Sequence, residues 1–134
     1  MHPDNLLYSP ENLWLRDEGN GLYRAGMTYR YQDRLKSVVF IDLPKLGSEI
    51  VRGEPLGVVE SSKISTDIVS PISGAVMDVN QNVIDKPGLI NKEPYGEGWL
   101  LLIQPSDTSE VESLWSARKY LDATKENGEN KGCP

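Results

Sequence analysis

The chain has 134 residues, 38% hydrophobic and 25% charged, which suits one ordinary soluble domain. Its net charge of -6 argues against nucleic acid or an anionic membrane surface as partner. A single cysteine (Cys133) and a single histidine (His2), both near the ends, exclude an internal disulfide and a cysteine-based metal site, and Ser-His-Asp or Cys-His catalysis would have to draw on His2, a poor position for it.

No apolar run is long enough to span a bilayer. The start, Met1-His2-Pro3-Asp4-Asn5, lacks the basic and apolar segments of a secretion signal. A soluble cytoplasmic location is therefore the expectation, with neither membrane nor nucleic acid as partner.

In chain order, Leu13–Asp17 and Gly21–Ala25 flank Glu18-Gly19-Asn20, which predicts a hairpin. Thr28 is a suitable N-cap for a short helix over 29–35. Ser37–Asp42 is β-branched and apolar on both faces, which predicts a central strand. Leu56–Glu60 and Ile64–Val69 predict two strands around Ser62-Lys63, and Gly74–Val79 and Trp99–Ile103 predict two more. Strands this short and close suggest a compact antiparallel sandwich or barrel. Ser109-Glu110-Val111-Glu112 reads as a capping box. Val111, Leu114, Trp115, Arg118 and Leu121 follow at helical spacing, predicting one C-terminal helix packed on the sandwich. Residues 1–124 are expected to form a single domain, and 125–134 a flexible polar tail.

Lys63 stands out among these elements. It lies between two strand-like runs with small polar residues, Ser61 and Ser62, before it. An isolated lysine in a turn is most often a solvated charge. Here the surroundings suit a lysine displayed for covalent modification, with four methylenes as a flexible tether. Such a site needs no cysteine of its own, because the chemistry resides in the attached group.

Glu60-Ser61-Ser62-Lys63, then Asp67, then Ser70-Pro71-Ile72-Ser73-Gly74, resembles the lipoyl-attachment region of the glycine cleavage system H protein family. Lys86-Pro87-Gly88-Leu89-Ile90-Asn91 and Pro94-Tyr95-Gly96-Glu97-Gly98-Trp99 are similar to the second signature of that family. The resemblance covers about residues 8 to 121. It implies a mainly β fold, a lipoyl-domain-like barrel-sandwich hybrid of antiparallel strands with a C-terminal helix outside. It also implies a carrier that is not itself an enzyme, with lipoate in amide linkage to Lys63 and Glu60, Ser61, Ser62 and Asp67 around the attachment point. The implied cargo is an aminomethyl group. The implied partners are glycine decarboxylase, aminomethyltransferase, dihydrolipoamide dehydrogenase and a lipoyl ligase or transferase. Biotin carriers usually set Met on both sides of the lysine, whereas here the neighbours are Ser62 and Ile64.

The chain departs from the family where the loaded arm would be sheltered. The family's His-Glu-Trp is Asn12-Leu13-Trp14 here, and the family's helix-start His is Arg30. Ile64 replaces the usual Ala. Leu13, Arg30 and Tyr95 are the candidates for lining the arm cavity, and of the family's polar set there Asp67 is retained. A carboxylate favours the ammonium of an aminomethyl cargo, whereas Arg30 in that cavity opposes it. Alongside glycine cleavage, two readings stay open. One is a related lipoyl carrier for another pathway, either sulfur oxidation with heterodisulfide reductase-like enzymes or lipoyl relay. The other is an unmodified β-sandwich interaction scaffold.

Overall fold

The computed structural model describes residues 3–126. Two antiparallel sheets enclose the main core. The larger is assembled from β1 (Leu7–Tyr8), β2 (Leu13–Gly19), β3 (Leu22–Met27), β9 (Leu101–Pro105), β8 (Gly74–Val79) and β5 (Glu49–Ile50), in that spatial order. The smaller has the order β4 (Val38–Asp42), β6 (Pro55–Ser61), β7 (Ser65–Val69). Leu13, Leu15, Met27, Val76 and Ile103 from the large sheet meet Ile41, Val59 and Ile68 from the small one, all buried in one cluster. The mainly β antiparallel sandwich expected from the strand spacing is the fold observed.

The predicted first hairpin forms. Gly19, Asn20 and Gly21 have φ of 90°, 58° and 76°, the left-handed conformation that glycine and asparagine tolerate best. Alternation along β2 sends Leu13 and Leu15 into the main core and Trp14 to the opposite face. There Trp14 joins Leu6, Tyr8, Ala117 and Tyr120 in a second buried cluster beneath the C-terminal helix. Gly26 faces Trp14 across the strands (Trp14↔Gly26), and a Cβ there would come within 2.6 Å of the indole.

Helix α1 (Tyr29–Leu35) has the predicted bounds and cap: Tyr31 N donates to Thr28 Oγ1 at 3.2 Å. Two short helices, α2 (Gln81–Asp85) and α3 (Gly88–Lys92), lie between β8 and β9 without a sequence-based expectation. Each is five residues long, too short for hydrophobic periodicity to register.

Three expectations are corrected. Val38–Asp42 is an edge strand, not a central one: Val39 is 58% and Phe40 48% exposed on its outer side. The capping box does not form. Asp107 is the N-cap, accepting from Ser109 N at 3.0 Å and from Ser109 Oγ at 2.7 Å. Finally, the single C-terminal helix is two, α4 (Thr108–Glu112) and α5 (Ala117–Glu126). Trp115 interrupts them because its backbone exchanges two 2.8 Å hydrogen bonds with Tyr8, forming an antiparallel bridge. The register of α5 resets at Ser116, whose Oγ accepts from Lys119 N, so Ala117 and Tyr120 are buried and Leu121 is 38% exposed. Helix α5 also runs into the start of the expected tail. The remainder of that tail, Cys133 and His2 lie outside the described residues.

Candidate functional site

β6 and β7 pair from Pro55↔Val69 to Glu60↔Ser65 and leave Ser61-Ser62-Lys63-Ile64 as the tip. Ser61 N donates to Ile64 O at 2.8 Å, so Ser62 and Lys63 are the two central residues of the turn. Neither has positive φ. The primed turns that match strand twist in two-residue hairpins require it, so this tip needs other support. Ser61 supplies it: its Oγ accepts from Lys63 N and Ile64 N, both at 3.1 Å. A further bond, Ser62 N to Ser37 O at 2.9 Å, ties the tip to the loop before β4.

That loop is itself fixed from α3. The Asn91 side chain accepts from Val38 N at 2.9 Å and donates to Lys36 O at 2.6 Å and Gln32 Oε1 at 3.0 Å. Asn91 thereby holds the end of α1, where Lys36 has φ of 65°, against the start of β4. Lys63 is thus backed by a chain of hydrogen bonds running through Ser37 to Asn91. Its own side chain is exposed and engaged in no ion pair among the described residues. These residues fit a group in amide linkage at Lys63: the amine is accessible, its backbone is held, and Ser62 and Ser65 beside it are small and exposed.

A cleft of about 350 Å³ opens beside the tip, lined by Asn12, Tyr31, Arg34, Leu35, Ile64, Thr66 and Lys63 itself. Tyr31 and Arg34 come from one face of α1 at i, i+3 spacing. The Tyr31 hydroxyl donates to Asp67 O at 3.2 Å, and burial, with the Asp67 carboxylate adding to it, pushes the phenol up to about 12. At the back, Asn12 has φ of 72° and its Oδ1 accepts from the Tyr120 hydroxyl at 2.6 Å. Burial raises the Tyr120 phenol, while Thr28 and the nearby Arg30 and Arg34 guanidiniums work against that rise.

The sequence candidates separate into two groups. Glu60, Ser61, Ser62 and Asp67 cluster with Lys63 on the β6–β7 hairpin. Leu13, Arg30 and Tyr95 are not among the residues lining this cleft. Leu13 is 1% exposed, within the main core. Arg30 is half-buried on α1 and, with Arg34, lies near Tyr120. Tyr95 sits at the opposite end of α1, where its hydroxyl accepts from Tyr29 N at 2.9 Å; burial pushes it up to about 12. Sequence reasoning missed Asn12, Tyr31, Arg34, Thr66 and the bracing Asn91. The helical spacing of Tyr31 and Arg34 was a legible signal, whereas Asn91 required the tertiary fold.

The outer face of the small sheet surrounds the tip. Phe40, Glu60 and Ser65 form one cross-strand row and Asp42, Val58 and Asp67 the next. Val39 and Phe40 leave apolar surface exposed on the edge strand, and Asp42, Glu60 and Asp67 give this sheet its negative charge, while Ile64, 53% exposed, lines the cleft.

A family model described as "Glycine cleavage H-protein" matches residues 6–127. The glycine cleavage system H protein of Bacillus subtilis (strain 168) is 40% identical over 125 residues, spanning 93% of this chain and 98% of that one. That of Escherichia coli O7:K1 is 44% identical over 118 residues, spanning 88% and 92%. Among solved structures, a glycine cleavage system H protein from Mycobacterium marinum superposes with a TM-score of 0.83 at 32% identity, covering 92% of this chain and 98% of that one. With a fold, a hairpin lysine and a sequence match that agree over nearly the whole chain, this protein belongs to the glycine cleavage H-protein family.

Proposed function

We propose that this chain is the lipoyl carrier of the glycine cleavage system, bearing lipoate on Lys63 and moving an aminomethyl group between enzymes without catalysing a reaction itself. Family membership supports the system, and the single observation that carries the attachment site is the exposed, braced Lys63 at the β6–β7 tip. When bound, the group supplies a redox-active disulfide that the protein lacks. The chain's own residues supply display and selection. Ser61 and the Ser62–Ser37 bond fix the backbone at the attachment point, and Lys63 extends the reach of the site by its four methylenes.

The partners in this reading are glycine decarboxylase, aminomethyltransferase, dihydrolipoamide dehydrogenase and a lipoyl ligase or transferase. The exposed Val39 and Phe40 beside Asp42, Glu60 and Asp67 suit docking sites with an apolar centre and a basic rim. Residues 1–124 act as the carrier domain, in the cytoplasm. No helix among the described residues is long and apolar enough to cross a membrane.

Co-expression with a lipoyl ligase followed by intact-mass measurement tests the attachment. One lipoyl addition is expected on the natural chain and none on Lys63→Arg; an unmodified chain, or modification surviving Lys63→Arg, removes the carrier reading. Reconstitution with the three partner enzymes tests the system, with glycine-dependent CO2 release as the expected result. A second reading, a related lipoyl carrier of another pathway, is favoured by one observation: among the described residues, no carboxylate lines the cleft beside Lys63. Lipoylation at Lys63 without glycine-dependent CO2 release would select it.

A further inference from the structure

The loop after β4 builds a second cleft, at the end of the small sheet away from Lys63. β4 begins beside the tip, where Val38 pairs with Ser61, and ends at Asp42↔Val58, so Leu43 and the residues after it lie beyond its far end. There Leu43, Leu46, Val79 and Ile84 line a groove of about 370 Å³, with Lys45 and Asp78 also in its lining. Leu46 is 68% exposed, yet its backbone is held. Ser48 N donates to Lys45 O at 3.0 Å, and Gly47 takes the left-handed conformation that closes such a turn, with φ of 87°. Gly47 N donates to Val76 O and Val76 N to Ser48 O, each at 2.8 Å, which fastens the turn to β8. An apolar side chain presented on a braced turn costs little backbone freedom when it is covered.

The charges of the groove indicate what covers it. Lys45 and Asp78 are both exposed. Among the described residues, Lys45 Nζ has neither a hydrogen bond nor an ion pair, and the Asp78 carboxylate accepts from Val79 N alone, at 2.9 Å. A partner of a single charge sign would match one of the two and oppose the other. A second copy related by a two-fold axis matches both, because each lysine then meets the other copy's aspartate. We infer that this groove is where two copies of the chain meet, with Leu46 of each seated against Leu43, Val79 and Ile84 of the other and Lys45 of each facing Asp78 of the other. The net charge of -6 repels two copies at longer range and the groove is small. The pair is therefore weak, with a Kd on the order of 0.1–1 mM. Both Lys63 tips lie away from the contact, so the pair offers two arms to one partner assembly.

Sedimentation velocity of the full chain, under reducing conditions so that Cys133 forms no cross-link, tests this. Dimer should accumulate between about 10 μM and about 1 mM at about 0.15 M salt. Leu46→Ser should weaken association at least about tenfold. Lys45→Glu and Asp78→Lys should each weaken it several-fold, by setting like charges opposite one another. Mixed in equal amounts, those two charge variants should associate with each other at least as tightly as the natural chain does with itself, since every lysine again faces a carboxylate. That recovery also shows that both variants are folded. A natural chain that stays monomeric at about 1 mM overturns the inference and leaves the groove to another protein or to none. A dimer indifferent to Leu46→Ser, or charge variants that fail to associate when mixed, overturns it as well. The measurement is made with and without lipoate on Lys63, and its outcome leaves the carrier reading untouched.

Discussion

Ser61 makes two distinct contributions through one hydroxyl. It replaces the backbone geometry that a primed turn would provide, and it orders the amides of the residue to be modified and of the next one. All of this happens at an exposed position, so the net energy is modest. Ser61→Ala is expected to lower global stability by less than about 1 kcal/mol. Amide exchange at Lys63 and Ile64, followed by NMR, should nevertheless accelerate several-fold; unchanged exchange at both amides would show that the turn holds without the hydroxyl. Gly26 is the opposite case, a buried residue whose missing side chain is what matters. Gly26→Ala should cost about 1–3 kcal/mol in denaturant unfolding, because the indole of Trp14 occupies the space a methyl group needs.

At the scale of elements, Asn91 joins three of them: α3, which carries it, the end of α1, and the first residue of β4. Asn91→Ala leaves Val38 N and Lys36 O without these partners and should destabilise the fold by about 1–3 kcal/mol. It should also slow ligase modification of Lys63, since the same loop receives Ser62 N; a stability loss with an unchanged modification rate would separate the two effects. The legibility of the elements follows from what kind of signal each one carries. The β2–β3 hairpin, α1 and the β6–β7 hairpin rest on local chemistry: glycine and asparagine in a turn, a threonine cap, two β-branched runs around a polar tip. They are readable in order along the chain. The edge position of β4 was not, because Val39 and Phe40 are apolar as a buried strand's residues are, although they face outward. The break between α4 and α5 was not either. Helical spacing continues through Trp115, and only pairing with Tyr8, more than a hundred residues earlier, overrides it. The site divides the same way: Lys63 and its flanking residues were legible as a contiguous motif, while the cleft draws Asn12 from the bend before β2, Tyr31 from α1 and Thr66 from β7.

Over the whole molecule, buried phenols set the alkaline limit of stability. Tyr31 and Tyr95 are both pushed up to about 12 from an ordinary value of 10.0, chiefly by burial. Tyr8 and Tyr120 move in the same direction for the same reason. A phenol with a raised folded pKa keeps its proton longer in the folded chain than in the unfolded one. Its contribution is therefore fully present below the unfolded value of 10.0 and is lost as pH rises through about 12. Denaturant midpoints should hold steady from neutral pH to about pH 9 as far as these groups are concerned, then fall toward pH 12. Tyr95→Phe should flatten part of that fall; an unaltered slope would mean that Tyr95 ionises as freely in the folded chain as in the unfolded one.

The bracing of the tip also governs how a group on Lys63 explores space. Ser61, Ser37 and Asn91 hold the backbone at its base, so the motion of that group belongs to the side chain and not to the loop. The reachable volume is then a cap around a stationary centre, and its size is set by tether length. For any protein docked beside the tip, the effective concentration of the arm's end depends on the seating angle of the complex and not on loop opening. Each partner therefore meets the same lever at the same fulcrum, and differences in transfer rate between partners should follow their docking geometry.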